Sequence, residues 1–360
     1  PPCQLRDAWS NPRCVCPEQS AVPRPQPTKG FEFQPQPGTE FAVTQKMETP
    51  VLYFYSDREI SAQIRVDFPG GVFGQYFPAP TSFSPSVGKA TGLKNGTMTF
   101  DITVLKTPVP IPFVEVSNIY SPARDVRSNV IRNQRNEAEK FIFYRGLGRF
   151  DTVVRVTSKE QELRIENRGE HLVPAAFLIY SNGAHGKIEP LGPIFAGQSL
   201  RITEEQVRRI REVTPETDDV FHPRAEALLT DALEATGLSS DESRAMTNTW
   251  KKSYFRTPGM RVLYILSPEE TETLLPMQIT PRPDELIRTM VGRIEVFTDA
   301  EEQQLLRLVQ SLPVHTLLER GREMGRFIQA KLLRVQELTA DRQVRDKIKE
   351  LLALGLGSSR

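Results

Sequence analysis

At 360 residues the chain is long enough for two or three domains by length alone, and buries most of its apolar surface without needing disulfide or metal staples. Its 46 Lys+Arg against 45 Asp+Glu give a formal charge of +1. That excludes the basic surplus a dedicated nucleic-acid or anionic-membrane binder requires. The unusual features are 29 prolines, about 8% against the usual ~5%, and three cysteines confined to the first sixteen residues.

Residues 1–40 read as an extended arm. They hold nine prolines, with the alternating runs PRPQP and QPQPG, where proline fixes φ and removes amide donors. Cys14 and Cys16 are spaced too tightly to bridge each other, so the expected disulfide joins Cys3 with Cys14 or Cys16, leaving one thiol over. Zinc lacks a fourth ligand there. Thiols restricted to one arm suit an oxidising compartment. With no initiator Met and no basic-then-apolar leader, the chain reads as a trimmed, exported form that is periplasmic, outer-envelope-associated or secreted. No apolar run is long enough for a transmembrane segment. The odd thiol is compatible with a lipid anchor or peripheral membrane association.

From 41 to 202 the hydrophobic period is two. Ala62, Ile64, Val66 and Phe68 alternate with polar residues, and Met98, Phe100, Ile102 and Val104 do so just after the turn signal Asn95-Gly96. VLYFYS, KFIFYRG, DTVVRVTS, QELRIENRG, VPAAFLIYSNG and QSLRIT supply further short strands. This pattern predicts an antiparallel β-sandwich-like domain.

Residues 203–312 predict a mainly helical α/β unit. Thr203 with Gln206 reads as a capping box; Pro223 opens and Gly237 stops a second helix; Ser240 caps a third. RVLYIL at 261–266 is a buried strand, followed by Ser267 as N-cap and Pro268 at the first helical position. DELIRTMV reads as another helix, GRIEVF as a strand, and Thr298 with Glu301 caps EEQQLLRLVQSL. Residues 313–360 read as two amphipathic helices, the first with the stripe Leu317, Leu318, Met324, Ile328, Leu332 and Val335. Nine basic against six acidic residues between 319 and 350 make either a docking face or, more simply, a solvated face laced with ion pairs.

The catalytic kits are missing. There is no P-loop, HExxH, GxSxG, CxxCH or Rossmann glycine triplet. Among four histidines, His222 and Glu226 share a helix face and His185 sits in the loop SNGAHG; these three are the weak candidates for a divalent metal or a general base. As the plainer alternative, they are a helix residue, its neighbour and a turn residue. Gly146 and Gly148 in FYRGLGRF lie in strand territory, so a bulge or a close backbone crossing explains them better than a phosphate cradle. Trp250, Tyr254 and Phe255, and the aromatics of VLYFY and FGQYFP, fit either core packing or a stacking platform.

NTWKKSYFRTPGMRVLYILSPEETETLLPMQITPRPDELIRTMVGRIEVFT, with METPVLYFYSD and KFIFYRGLGRF, resembles a group of bacterial exported or cell-envelope proteins over roughly residues 45 to 310. That resemblance implies export and carries over no catalytic residue. The sequence therefore points to an α+β protein without a cofactor, and to a non-enzymatic structural or assembly subunit. It would engage other protein subunits of an envelope or extracellular complex through its arm and terminal helices, and no nucleic acid. A glycan- or peptide-binding module on the sandwich is the alternative, and a metal-dependent hydrolase the third reading.

Overall fold

A computed structural model of the protein describes residues 45–48, 51–85, 95–113, 118–148, 150–213, 218–323 and 327–356. The proline-rich arm and the expected Cys3 pairing lie outside the described residues. What is described is a mixed α+β fold with antiparallel sheets.

Strands β1 (Gln45–Glu48), β2 (Leu52–Tyr53), β3 (Ile60–Phe68), β4 (Gly71–Phe77), β5 (Ser82–Ser84) and β6 (Gly96–Val104) come first. After a 3₁₀ turn at Pro122–Asp125 follow β7 (Ile131–Asn133), β8 (Ala138–Glu139), β9 (Phe141–Gly148), β10 (Val154–Lys159) and β11 (Glu162–Asn167). Then come β12 (Val173–Ser181), β13 (Gly186–Ile194) and β14 (Ser199–Ile202). Helices α1 (Glu204–Arg211), α2 (Asp218–Glu234) and α3 (Ser240–Phe255) lead to β15 (Gly259–Leu266), α4 (Pro268–Leu274), β16 (Met277–Thr280) and β17 (Met290–Val296). The chain continues through α5 (Asp299–Ser311), α6 (Val314–Glu323), α7 (Ile328–Leu338) and α8 (Arg342–Ala353).

In β3 and β6 the alternation read from the sequence is the burial observed: Ile64, Val66, Phe68, Met98, Phe100, Ile102 and Val104 all face inward. The two strands pair along their whole length, from Ile60 opposite Val104 to Phe68 opposite Gly96. β9 carries β1 and β2 on one edge and β4 on the other. β10, β11 and β14 form a smaller sheet, and β13-β12-β15-β17 another. One core joins them all, with Ile64 and Phe100, Tyr144, Ile165, and Leu178 and Val262 drawn from the four sheets in turn. β12 and β15 are covered on both faces. Their outer residues Phe177, Ile179, Leu263 and Ile265 pack under Phe221, Ala225, Leu229 and Phe255 of α2 and α3. Double burial is why VPAAFLIY and RVLYIL read as continuous apolar runs rather than alternating ones.

Strands from the two segments expected to form separate units share sheets. β15 pairs with β12 from Ala175 opposite Ile265 to Ser181 opposite Gly259, and β16 pairs with β3. The terminal helices have a core of their own around Val309, Leu332, Val335, Ile348 and Leu351. The first of the two helices expected there is found as α6 and α7, with 324–326 outside the described residues.

Four local readings change. The N-cap of α3 is Ser239, not Ser240: its Oγ accepts from Glu242 N while Glu242 Oε2 accepts from Ser239 N at 2.8 Å. α2 does not open at Pro223 but runs from Asp218 with Pro223 inside it. DELIRTMV is not a helix: residues 281–289 cross the surface without regular structure and Met290 enters β17. Leu286 and Ile287 are exposed while Arg288 is buried, so the segment has no continuous apolar face to hold a helix down. Several strands, among them β4, β7, β13 and β16, are not read from the sequence; β13 contains Pro190 and Pro193, sits at a sheet edge and takes register shifts against β12.

Candidate functional site

Gly146 and Gly148 form no phosphate cradle. The ring of Phe68 lies against both glycines and Gly71, where a Cβ would collide with it. The close-crossing reading of that motif is the one observed.

A cleft of about 1430 Å³ opens among the described residues. Its walls are residues 51–58, the middle of β9, the 3₁₀ turn, α3 from Asp241 to Trp250, and the segment 281–290. The local chemistry explains how each wall is placed. β2 stops after two residues because Asn129 takes over the backbone beyond it. Its N–H donates to Phe54 O (2.9 Å), its Oδ1 accepts from Ser56 N (3.0 Å), and its Nδ2 donates to Ser56 O (3.0 Å). The chain is peeled off β9 at that point, which leaves Tyr55 57% exposed.

The acidic first turn of α3 holds the opposite wall in place. Tyr55 Oη donates to Glu242 Oε1 at 2.7 Å, and Arg127 N donates to Asp241 Oδ2 at 2.9 Å. Burial works to raise the Asp241 carboxyl, but hydrogen bonds from Ser239 and from the backbone and side chain of Arg127 outweigh it and hold the group at about 2. Burial raises the Tyr144 phenol to about 12 and pushes Tyr53 and Tyr55 up as well, with the hydrogen bond to Glu242 adding to the shift of Tyr55. All three phenols stay neutral at ordinary pH. Tyr53 Oη donates to Ala123 O at 2.9 Å, and the Tyr120 and Phe143 rings meet edge to face at 4.9 Å.

Segment 281–289 forms the remaining rim. Arg288 is drawn inward, with Nη2 donating to Leu275 O at 2.7 Å and Nη1 to Glu272 Oε2. The Thr289 and Thr236 hydroxyls lie 2.9 Å apart. These ties leave Leu286 and Ile287 at the rim, 49% and 41% exposed.

Four of the chain's eight tyrosines, Tyr53, Tyr55, Tyr120 and Tyr144, line this cleft, together with Trp250. Its lining carries five arginines and five carboxylates, so neither sign of charge prevails, and neither His nor Cys. Such a surface presents aromatic ring faces and aliphatic groups beside guanidinium donors.

The sequence candidates lie elsewhere. His185 closes the turn after β12, its N–H bonded to Asn182 Oδ1 at 2.7 Å, and Gly186 beside it rests on the Phe221 ring. The His222 and Phe221 rings are 4.8 Å apart, and Glu226 pairs with Lys251 at 3.4 Å. None of the three lines the cleft, and among the described residues no group of three or more His, Cys, Asp or Glu could hold a metal ion. Of the aromatic motifs, Tyr254 and Phe255 are core, whereas Trp250 and VLYFY meet across the cleft. Tyr76 of FGQYFP packs on Phe83 instead, with ring centroids 5.3 Å apart. Sequence reasoning passed over Tyr120, Tyr144 and the 281–289 rim. The only available signal was the crowding of tyrosine near VLYFY, because the cleft is assembled from segments far apart in the chain.

In comparisons with family models, with curated proteins and with solved structures, nothing matches this chain.

Proposed function

We propose that the protein is a non-enzymatic assembly component of a bacterial cell-envelope or extracellular complex, working outside the cytoplasm, and that it holds an apolar polypeptide segment of a partner in the tyrosine-lined cleft. The β-sandwich-like reading of its sheets supplies a rigid scaffold for that cleft. The observation that carries the proposal is the gathering of half the tyrosines and Trp250 around one opening. Large, rigid, amphipathic side chains of this kind give contact area at low entropic cost. Its volume exceeds the ~300–1,000 Å³ of ordinary small-molecule sites, which suits a chain-like ligand. Four exposed apolar residues, Tyr55, Ile119, Leu286 and Ile287, stand at the same opening; aliphatic side chains favour a peptide over a sugar. On the terminal helices Arg334 pairs with Glu302 and Glu337, Arg342 with Asp346, and Lys347 with the carbonyls of Val309 and Leu312, so these three basic groups are already engaged within the chain.

Panning a random peptide library on the full chain tests this reading. Apolar and aromatic or proline-bearing peptides are expected to enrich, and Tyr55→Ala with Trp250→Ala should weaken them by at least about tenfold, as loss of two aromatic anchors does. No enrichment, or binding indifferent to both substitutions, overturns it. Retention on a glycan array that is lost with the same two substitutions would instead establish the sugar-binding alternative.

A further inference from the structure

Resting on that reading, we infer that the partner's segment enters the cleft as a β-strand, paired through its main chain with the open edge of β3 at Ser61 and Glu59, with apolar residues at every second position.

The sheet stops short at this edge. β16 covers the outer edge of β3 from Val66 opposite Met277 to Gln63 opposite Thr280, and its regular structure ends there. β3 runs on to Ile60, still paired on its other side with β6 as far as Val104. The phase of the ladder tells which groups are left over. Asp67 N donates to Pro276 O at 2.9 Å, so the odd-numbered residues of β3 turn their N–H and C=O toward β16. Thr99, opposite Arg65 on β6, accepts from Thr81 N on the far side of that strand, which fixes the same phase independently. Ser61 therefore directs both its backbone groups into the place that a longer β16 would occupy. Among the described residues nothing bonds to them there, and the backbone of Glu59, next in phase, is equally unbonded. Both residues are exposed.

Burial changes at the same point. On the inward face of β3, Ile64 and Val66 are 0% exposed, whereas Ile60 and Ala62 are half-buried and line the cleft. Their neighbours on that face, Val104, Met277 and Ile279, line it too, so the floor beside the open edge is apolar. A strand laid along the edge turns alternate side chains onto this floor and the others toward solvent. β16 already carries the pattern, with Met277 and Ile279 more buried than Gln278 and Thr280.

The edge also selects against other guests. A helix spends its main-chain groups on itself, and a glycan has no amide ladder to offer; either would cover Ser61 and leave its N–H and C=O unpaired. A strand satisfies both. In such additions the main chain supplies affinity and the alternate side chains supply specificity.

The test takes peptides enriched on the full chain and methylates their amide nitrogens one at a time. Methylation is expected to weaken binding at least about fivefold at every second amide of the bound stretch and by less than about twofold at those between, because only one set faces β3. Apolar residues should recur at every second position, and proline should be accepted only where the amide faces away. On the protein, exchange of the Ser61 amide hydrogen is expected to slow at least about tenfold with peptide bound. Ser61→Pro, which removes that donor without breaking a bond of β3, should weaken binding at least about fivefold. If that variant does not fold, peptide methylation and hydrogen exchange decide. Tolerance of methylation at every amide, sensitivity spaced three and four apart, or unchanged exchange at Ser61 overturns the inference. So does self-association of the chain that the peptide reverses, which would make the occupant a second copy. Any of these with peptides that still depend on Tyr55 and Trp250 leaves the binding function standing and removes the strand alone, whereas no enrichment removes both.

Discussion

Phe68 ends β3 with its ring laid over Gly71, Gly146 and Gly148, so three glycines define the slot that one side chain fills. A methyl group at Gly146 would meet both that ring and the carbonyl oxygen of Val72, which is backbone and cannot step aside. Gly146→Ala is therefore expected to lower stability by about 1–3 kcal/mol. Gly74→Ala, in the facing strand but opening onto free space, should stay within about 0.5 kcal/mol. Urea midpoints of the two variants check the contrast. At this scale the sequence was half legible. FYRGLGRF declared a backbone crossing because two glycines two apart in a strand leave room on one face. It did not declare Phe68, because the ring that uses the room comes from a distant segment. The same holds for Arg261, fully buried at the head of an apolar run. Its partner Glu295 sits at 2.9 Å from β17, and Arg293 reaches the same carboxylate at 2.6 Å.

Among elements, the capping motifs were read most reliably, since a cap is a contract between residues three apart. Thr203 with Gln206, Ser267 and Thr298 with Glu301 all occupy the positions their spacing predicted. In the run Ser239-Ser240 the spacing to Glu242 decides between two candidates, and the box closes on Ser239. Ser239→Ala is accordingly expected to cost about 1 kcal/mol and Ser240→Ala, one position inside the helix, much less. Thermal denaturation of both variants separates them; equal losses would contradict the assigned cap. Segment 281–289 shows why periodicity misleads elsewhere. Leu286, Ile287 and Met290 have helix-like spacing, but only Met290 reaches the core, and Arg288 is held by Leu275 O and Glu272 instead. Tertiary hydrogen bonds outcompete a marginal local preference.

At the scale of the molecule, the sheets disregard the point at which the sequence changes from strand-rich to helix-rich. β12 needs β15 as its neighbour, and Val262, Tyr264, Leu266, Met277 and Met290 all enter the core laid down by the earlier strands. A chain ended at residue 202 is thus expected to show no cooperative thermal transition by circular dichroism, whereas the full chain does. A sharp transition in the shortened chain would mean the earlier strands close a core unaided. Alternation in β3 and β6 was visible in the sequence because it is local; the pairing of β3 with β16 was not, because nothing in either strand names the other. The cleft suffers the same limit. VLYFY and Trp250 were each conspicuous, but their convergence is a property of the fold.

Helix α3 is held at both ends by unlike means. At its start Tyr55 and Arg127 grip Glu242 and Asp241, and at its end Arg261 collects the carbonyls of Tyr254, Thr257 and Pro258 while Arg293 takes that of Ser253. Mechanically it is a beam clamped at both supports. Tilting that beam would break both sets of contacts at once, whereas the opposite bank is tied at Met277 and Arg288, with Leu286 and Ile287 between them on irregular backbone.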